Sequence, residues 1–204
     1  DGVIAAGTAT ITNSFISQID RGATAWGYGA LTVTNCTVDD NRLGLLEHGG
    51  TLVVRNSIVT NSSQAGVIHD WGTEHVTVTY CDVWNPGKLN YSGTSDKTGQ
   101  NGNISADPKY RNQPQGDYRL GYRSPAIDAA DGTVAPAADS AGAPRYDDPR
   151  TANTGTRGFD RPRGSRRLPP TAEPSATASP ASAGCAARQA ATAASTTPSS
   201  NRTI

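Results

Sequence analysis

Four short segments of the chain repeat one pattern, and this repeat restricts the fold more than any other feature. Their first residues lie 22, 21 and 24 positions apart in a chain of 204 residues. A repeat of roughly 20–30 residues indicates a solenoid, in which each unit is one coil that buries its apolar face only against its neighbours. The segments are ITNSFIS from Ile11, VTNCTVD from Val33, VRNSIVT from Val54 and VTYCDVW from Val78.

Each segment alternates apolar and polar side chains, as a half-buried β-strand does. We expect Val33 to point inward and Thr34 outward, then a bend at Asn35, then Val38 pointing inward on the next strand. Stacked coils would form apolar columns between parallel strands about 4.8 Å apart. The sequence therefore predicts an all-β fold, a single-stranded parallel β-helix. The expected columns are Ile11, Val33, Val54, Val78 and Ile16, Val38, Val59, Val83.

Asparagine occupies the same position in three of the four repeats, although strands are depleted in Asn. Asn13, Asn35 and Asn56 would stack at a bend between two strands. There the side chains could hydrogen-bond to one another and to the turn backbone. Tyr80 replaces Asn in the fourth repeat, which predicts that the Asn ladder ends there.

The cysteines are predicted to be small buried residues and not a disulfide or a metal site. Cys36 and Cys81 share a column with Ser57 between them. Two strand spacings separate them by roughly 9–10 Å, which exceeds the ~7 Å Cα limit for a disulfide. Cys185 has no evident partner, so cysteine usage does not fix a redox compartment.

Composition excludes several classes of protein. No apolar run approaches the ~18 residues of a membrane span. Residues 1–161 carry 13 basic and 17 acidic side chains, a net charge of −4, and this acidic body argues against nucleic acid as the main partner. The chain begins DGVIAAG, with neither Met nor a signal-like segment, so we expect an N-terminally incomplete chain.

The repeat fails after Trp84, where a polar, Gly-rich excursion begins. Short strand-like pieces follow, and ADP, DYRL and SPAIDA occur in order over residues 103–160. Together with the preceding coils, they resemble bacterial right-handed parallel β-helix proteins with a choice-of-anchor Q-type C-terminal region, in the pectate-lyase-like superfamily. The resemblance implies a right-handed parallel β-helix with an irregular C-terminal cap. It also implies an extracellular or cell-surface setting and a polysaccharide partner.

Three segments are expected along the chain. Residues 1–85 would form the β-helix coils, and residues 86–161 the last coil or coils and the C-terminal capping region. Residues 162–204 are predicted to be a disordered tail, because 27 of the 32 residues from 169 to 200 are Ala, Pro, Ser or Thr. Whether this tail is a genuine stalk or a misread coding end stays open at this point.

The repeat spacing predicts one cluster of titratable and aromatic side chains on adjacent coils. Glu47, His48, His69 and Asp70 are candidate catalytic residues, because a carboxylate beside a histidine can hold one proton for acid–base work. Solvated loops, or pairs that only stabilise the solenoid, are the alternative. The expected columns are Ala25–Glu47–His69, Trp26–His48–Asp70 and Gly27–Gly49–Trp71.

Three further side chains are candidates for binding a substrate. Trp26 and Trp71 flank the cluster, and aromatic faces stack on sugar rings. Arg55 is expected to face outward between Thr34 and Thr79, with no carboxylate in its column. The resemblance implies that lyases of the superfamily use Arg or Lys as a base, often aided by Ca²⁺, whereas hydrolases use carboxylates on neighbouring coils.

Acidic residues outside the cluster are candidates for metal ligands or turn caps. Asp39, in the segment DDNR, should point outward near Thr60 and could ligate Ca²⁺, but too few oxygen ligands surround it. We therefore expect a solvated turn there and predict no metal site, leaving Ca²⁺ open as a cofactor. Asp20 and Arg42 share a column and should form an ion pair. The predicted turn caps are Asp107, Asp117 and Asp128.

The leading hypothesis is an extracellular polysaccharide-interacting protein that binds along the outer face of its coils. In that case the chain could be a fragment of a polysaccharide lyase or glycoside hydrolase. The alternative is a non-catalytic structural or adhesive module of the cell surface. A monomer is expected, with no membrane span and no nucleic-acid partner.

Overall fold

Three parallel β-sheets form the coils in the computed structural model, which describes residues 2–145 and 150–156. Sheet A contains β1 (Val3–Ala5), β4 (Arg21–Trp26), β7 (Leu43–His48), β10 (Ala65–Trp71) and β13 (Leu89–Ser92). Sheet B contains β2 (Thr8–Thr12), β5 (Ala30–Thr34), β8 (Thr51–Arg55) and β11 (Val76–Thr79). Sheet C contains β3 (Phe15–Ser17), β6 (Thr37–Asp39), β9 (Ile58–Thr60) and β12 (Asp82–Trp84). The predicted all-β solenoid is confirmed, and the described residues contain no α-helix.

The predicted columns match the strand register. Val33 pairs with Ile11 on one side and with Val54 on the other, and Val54 pairs with Val78. The column of Val38 is formed in the same way on sheet C. Most of these side chains are fully buried, and together they form the core enclosed by the three sheets. Cys36 and Cys81 are buried free thiols within this core.

The bend between sheets B and C needs a left-handed backbone, which explains the repeated asparagine. Asn13, Asn35 and Asn56 have φ angles of 51°, 54° and 50°, a region that Asn enters at lower cost than most residues. The side chains of Asn13 and Asn56 bond to the C-terminal segment instead of along the stack, whereas the Asn35 side-chain oxygen has no hydrogen-bond partner among the described residues. The amide of Asn56 both donates to and accepts from the Asp131 backbone at 2.8 Å.

This bend column continues into a fifth coil, which corrects the expectation that it ends at Tyr80. Tyr80 has a φ angle of 51° and donates its N–H to the carbonyl of Asn101, whose φ angle is 49°. Ile104 then forms a parallel bridge with Asp82, and β13 adds a fifth strand to sheet A. The apparent loss of the repeat after Trp84 comes from the excursion between these two pieces of the coil.

The second residue of β4, β7 and β10, where the chain enters sheet A, is too closely packed to carry a side chain. A Cβ on Gly22 would lie 2.3 Å from the carbonyl oxygen of Gly44, and a Cβ on Gly44 would lie 2.3 Å from that of Gly66. Glycine therefore recurs here because the backbone of the next coil fills the space of a Cβ atom.

A short antiparallel hairpin covers the outer face of sheet C. It consists of β14 (Tyr110–Asn112), a 3₁₀ turn (Gln113–Gln115) and β15 (Asp117–Leu120). The Tyr118 ring packs on Phe15 with ring centroids 3.9 Å apart. The DYRL piece is thus a strand, whereas the SPAIDAA piece forms turns.

The hairpin buries Asp39, so the solvated turn expected there is wrong. One Asp39 carboxylate oxygen accepts hydrogen bonds from Thr60 and Asn61 at 2.7 and 2.8 Å. The other accepts from Gln113 at 2.8 Å and from Tyr118 at 3.1 Å. Burial, together with the nearby Asp39 carboxylate, raises the pKa of Tyr118 to about 12.

The expected Asp20–Arg42 pair forms, with Arg42 Nε 2.5 Å from an Asp20 oxygen. This pair lowers the pKa of Asp20, chiefly through the hydrogen bond from Arg42. The expected turn caps are found at Asp107 and Asp117, which accept the N–H groups of the residues two positions later. The tail predicted over residues 162–204 lies outside the described residues, so it stays a prediction. Within the described part of the chain, no helix is long and apolar enough to cross a membrane.

Replacement of Gly44 by alanine should destabilise the solenoid, because the new methyl group would meet the Gly66 carbonyl oxygen. We expect the free energy of unfolding to fall by about 1–3 kcal/mol in urea denaturation. Gly7→Ala is the matched control, since a Cβ at Gly7 meets no atom within 4 Å. Equal effects of the two substitutions would contradict the close packing at the start of β7.

Asp82 should make the free energy of unfolding depend on pH. It is 3% exposed, and burial raises its pKa to about 6, with the Asp107 charge adding to the effect. Between pH ~4 and ~6 the folded state holds the proton more tightly than the unfolded state, so stability falls as pH rises.

We expect Asp82→Asn to gain stability relative to the native sequence as pH rises from 4 to 7. The carboxylate is ionised at the upper end of this range, and a shift of about two pKa units corresponds to ~3 kcal/mol at most. Urea denaturation of both proteins across this range measures the difference. A difference that is constant with pH, or that moves the other way, would show that Asp82 is not the group responsible.

Candidate functional site

The C-terminal ends of β4, β7 and β10 bring the predicted cluster together on three successive coils. Ala25 pairs with Glu47, Glu47 pairs with His69, and Trp26 pairs with His48. Successive residues of a strand point to opposite faces of the sheet. Each coil therefore contributes one inward and one outward side chain at this edge of sheet A.

The outward side chains form a stack of three rings. The Trp26 and His48 ring centroids lie 4.0 Å apart with an interplanar angle of 23°. His48 and Trp71 follow at 5.7 Å and 26°. Trp26 is 43% exposed and Trp71 is 61% exposed, so both indoles contact solvent on either side of the half-buried imidazole. We call Trp26, His48 and Trp71 the ring stack.

A register shift in β10 corrects the predicted columns. Trp71, and not Asp70, is the partner of His48, because the pairing of β10 with β7 is irregular between His69 and Trp71. Asp70 is the additional residue of this bulge. Its carboxylate still reaches the imidazole, with 2.7 Å between Asp70 Oδ1 and His48 Nδ1. The bulge thus adds an indole to the stack and retains the predicted histidine–carboxylate pair.

Glycine at position 49 makes room for the last ring of the stack. Gly49 has a φ angle of 74°, and a Cβ atom there would lie 2.4 Å from the Trp71 ring. The Gly27 N–H donates to the His48 carbonyl at 2.8 Å, which ties the first two coils together at this edge. The backbone that carries the ring stack is therefore fixed by hydrogen bonds between the stacked coils.

The second predicted pair, Glu47 and His69, faces the interior. Glu47 is 0% exposed and hydrogen-bonds through one oxygen to His69 Nδ1. Its other oxygen is buried without a hydrogen-bond partner among the described residues. A ligand on the outer surface cannot reach this carboxylate. The four candidate catalytic residues are therefore adjacent but divide into an inward pair and an outward pair.

The loop after Trp71 is fixed by a network around Glu74. Glu74 Oε1 accepts hydrogen bonds from Thr94 at 2.5 Å and from Lys97 at 3.1 Å. These two bonds, the Thr94 bond first, lower the pKa of Glu74. They join the end of β10 to the excursion that follows β13, beside the most exposed ring of the stack.

Arg55 does not join the cluster, because it ends a strand of a different sheet. As predicted, it is exposed and pairs in register with Thr34 and Thr79. The C-terminal segment nevertheless brings Asp131 close enough for Arg55 to contribute to the lowering of the Asp131 pKa. Asp131 lies far along the sequence and outside the repeat, so the spacing could not place it near Arg55.

Sequence reasoning missed Tyr28, which is fully exposed in the loop between β4 and β5. It follows Trp26 by two residues in the segment WGYG, and this second aromatic beside a glycine turn was the available signal. Across residues 2–145 and 150–156, no group of three or more His, Cys, Asp or Glu side chains could hold a metal ion. At Asp39, the position considered for Ca²⁺, both carboxylate oxygens accept hydrogen bonds from protein groups.

Comparison with known families matches residues 2–104 to a family described as "Right handed beta helix region". The matched part contains the five strands of sheet A and the whole ring stack. Searches of curated proteins and of solved structures give no significant match.

The inward and outward pairs should differ sharply in their contribution to stability. Glu47→Ala leaves His69 unpaired and opens a cavity in the interior, so we expect a loss of about 3–5 kcal/mol in urea denaturation. Asp70→Ala should cost less than about 1 kcal/mol, because the Asp70 carboxylate is largely exposed. Similar costs for the two variants would contradict the assignment of Glu47 to the interior.

Proposed function

The chain belongs to the right-handed β-helix family, and we propose that it binds polysaccharide on the outer face of its coils at the ring stack. The exposure of the Trp26 and Trp71 indoles is the observation that carries this proposal. The two indoles and the imidazole between them are contiguous, and contiguous exposed apolar patches commonly mark interaction sites, whereas single exposed residues do not. A sugar offers them apolar C–H faces and a polar hydroxyl rim.

The geometry of the ring stack supports an extended ligand. The rings come from three successive coils, so they follow the solenoid axis. Asp70 is 45% exposed at its side chain and accepts hydrogen bonds, as sugar hydroxyls require. An oligosaccharide lying along the axis would contact the indoles and the Asp70 carboxylate together.

Binding without cleavage fits this surface better than catalysis. Glycoside hydrolysis uses two carboxyl groups that flank the scissile bond, and here Asp70 faces outward while Glu47 is enclosed. A lyase would need a basic side chain beside the sugar, but Arg55 belongs to another sheet. The exposed His48–Asp70 pair is the group that would carry any proton transfer.

A structural or adhesive module of the cell surface is the second candidate. It is favoured by the C-terminal segment, which attaches to the Asn column and covers sheet C without adding to the ring stack. Such a module would present loops to a partner and would not need exposed indoles. Replacement of an indole therefore distinguishes the two functions, because it should impair polysaccharide binding but not a structural or adhesive role.

We also propose an extracellular or cell-surface location and a monomeric state. The location is supported by the proposed ligand, because such polysaccharides occur outside the cell. The monomeric state is supported by the coils, because each pairs with its neighbours in the same chain. We assign residues 103–160 to a choice-of-anchor Q-type region of the pectate-lyase-like superfamily. Support comes from the sequence pieces ADP, DYRL and SPAIDA.

Trp26→Ala and Trp71→Ala should each weaken polysaccharide binding at least about tenfold, because aromatic anchors commonly contribute 2 kcal/mol or more. The assay is affinity electrophoresis through gels containing soluble neutral glucan, galactan or uronate polysaccharide. Tyr122→Ala is the control, since Tyr122 is exposed at the surface outside the ring stack.

The same preparations are assayed for turnover by new reducing ends and by unsaturated products. Retardation that is lost with either indole, without turnover, supports the proposal. Unchanged retardation in both variants, or no retardation by any polysaccharide, rejects it. If a polysaccharide is cleaved and Asp70→Asn abolishes this cleavage, a catalytic function would replace the proposed binding function.

A further inference from the structure

We propose that the ring stack prefers a polysaccharide of amino sugars, whose protonated amino groups are bound by the Asp70 carboxylate. This inference rests on the proposed function, because it assigns a class of ligand to the same surface. The Trp26 and Trp71 indoles offer contacts that neutral and charged sugars share. The carboxylate beside them is therefore the group that decides which sugar is preferred.

The Asp70 carboxylate has one oxygen available to a ligand. Its Oδ1 lies 2.7 Å from Nδ1 of His48, and because an ionised carboxylate can only accept, the imidazole nitrogen is the donor. Within the described residues, Asp70 Oδ2 forms no hydrogen bond, and the side chain is 45% exposed. An ammonium group has three donors, so it could bind Oδ2 while His48 stays bound to Oδ1.

The bulge of β10 places this carboxylate beside an aromatic surface. Asp70 is the additional residue of the bulge, and Trp71 follows it directly in the chain. Both side chains are exposed, whereas His69 before them faces the interior. His48 holds the two together, since it hydrogen-bonds to Asp70 and stacks on the Trp71 ring. The carboxylate and the indole therefore form one surface.

The surroundings of the ring stack are negatively charged. Lys97 is the only Lys or Arg in the ends of the sheet A strands and the loops after them, which are residues 22–29, 44–50, 66–75 and 92–101. Its ammonium is already bound by Glu74 at 3.1 Å. The Asp96 carboxylate stays ionised, because the hydrogen bond from the Thr98 N–H lowers its pKa. A cationic ligand would complement this charge.

An amino sugar fits this surface better than a neutral or an acidic sugar. Its ammonium can form a charge-assisted hydrogen bond with Asp70 and a cation–π contact with an exposed indole. A neutral sugar keeps the indole contacts and bonds to Asp70 through a hydroxyl, so it should bind more weakly. A uronate carboxylate near Asp70 would be repelled.

The test is titration calorimetry of the full chain with tetramers of glucosamine, N-acetylglucosamine and glucose that share one linkage. They differ at a single ring carbon, which carries an ammonium, an acetamide or a hydroxyl group. The buffer is mildly acidic, so the amino groups are protonated while carboxylates remain ionised.

The glucosamine tetramer should bind at least about tenfold more tightly than the other two, because a charge-assisted hydrogen bond is roughly twice as strong as a neutral one. Its binding should weaken as salt increases, whereas binding of the neutral tetramers should change little.

Asp70→Asn should weaken binding of the glucosamine tetramer at least about tenfold and leave binding of the N-acetylglucosamine tetramer unchanged. The amide oxygen still accepts from His48, so the substitution removes the charge and keeps the ring stack. Asp40→Asn is the matched control, because Asp40 is exposed after β6 of sheet C. Its φ angle of 52° is one that Asn adopts readily, so the control removes one charge without strain and should not affect binding.

Equal affinity for the three tetramers, tighter binding of a neutral tetramer, or equal losses in the Asp70 and Asp40 variants would overturn the preference for amino sugars. Glucosamine binding that survives Trp71→Ala would also overturn it, because the ligand would then lie outside the ring stack. If the three tetramers bind equally and Trp71→Ala abolishes binding, the proposed function stands without this specificity. If no tetramer binds and no polysaccharide retards the protein, both proposals fail.

Discussion

Backbone hydrogen bonding between successive coils is the interaction on which the rest of the structure depends. It fixes the distance between neighbouring strands, so most positions in the repeat lie above their equivalents in the next coil. The columns follow from it, including the valine core, the left-handed Asn bend and the glycines at the start of the sheet A strands, where Gly44 meets the Gly66 carbonyl. It also brings residues about 22 positions apart into contact, which is how a chain with few aromatics builds a stack of three rings.

Strand alternation then decides what the candidate site can do. Glu47 and His48 are neighbours in sequence, yet one is enclosed by the coil and the other lies between two solvent-exposed indoles. The inner pair is enclosed by the coil, and the outer group offers an aromatic surface with one carboxylate. Four residues that look like one acid–base site in the sequence are therefore an exposed aromatic surface above a buried histidine–carboxylate pair.

The C-terminal segment covers the outer face of sheet C and changes the surroundings of the acidic side chains there. The hairpin covers sheet C and gives the buried Asp39 carboxylate a full set of donors. Asp82, buried in the same sheet, accepts the Ala106 N–H and has a raised pKa. The Asn column anchors a later part of the same segment at Asp131.

The repeat in the sequence determined the solenoid, its core columns, the buried cysteines and the closeness of Glu47, His48, His69 and Asp70, because a fixed period translates directly into stacked neighbours. Only the tertiary structure placed the bulge at Asp70, because the spacing of 24 between the last two repeats indicates additional residues without locating them. The burial of Asp39 likewise depends on a hairpin more than 70 residues after Asp39. Contacts of that kind follow no period, and the packing of the cap onto the coils sets them.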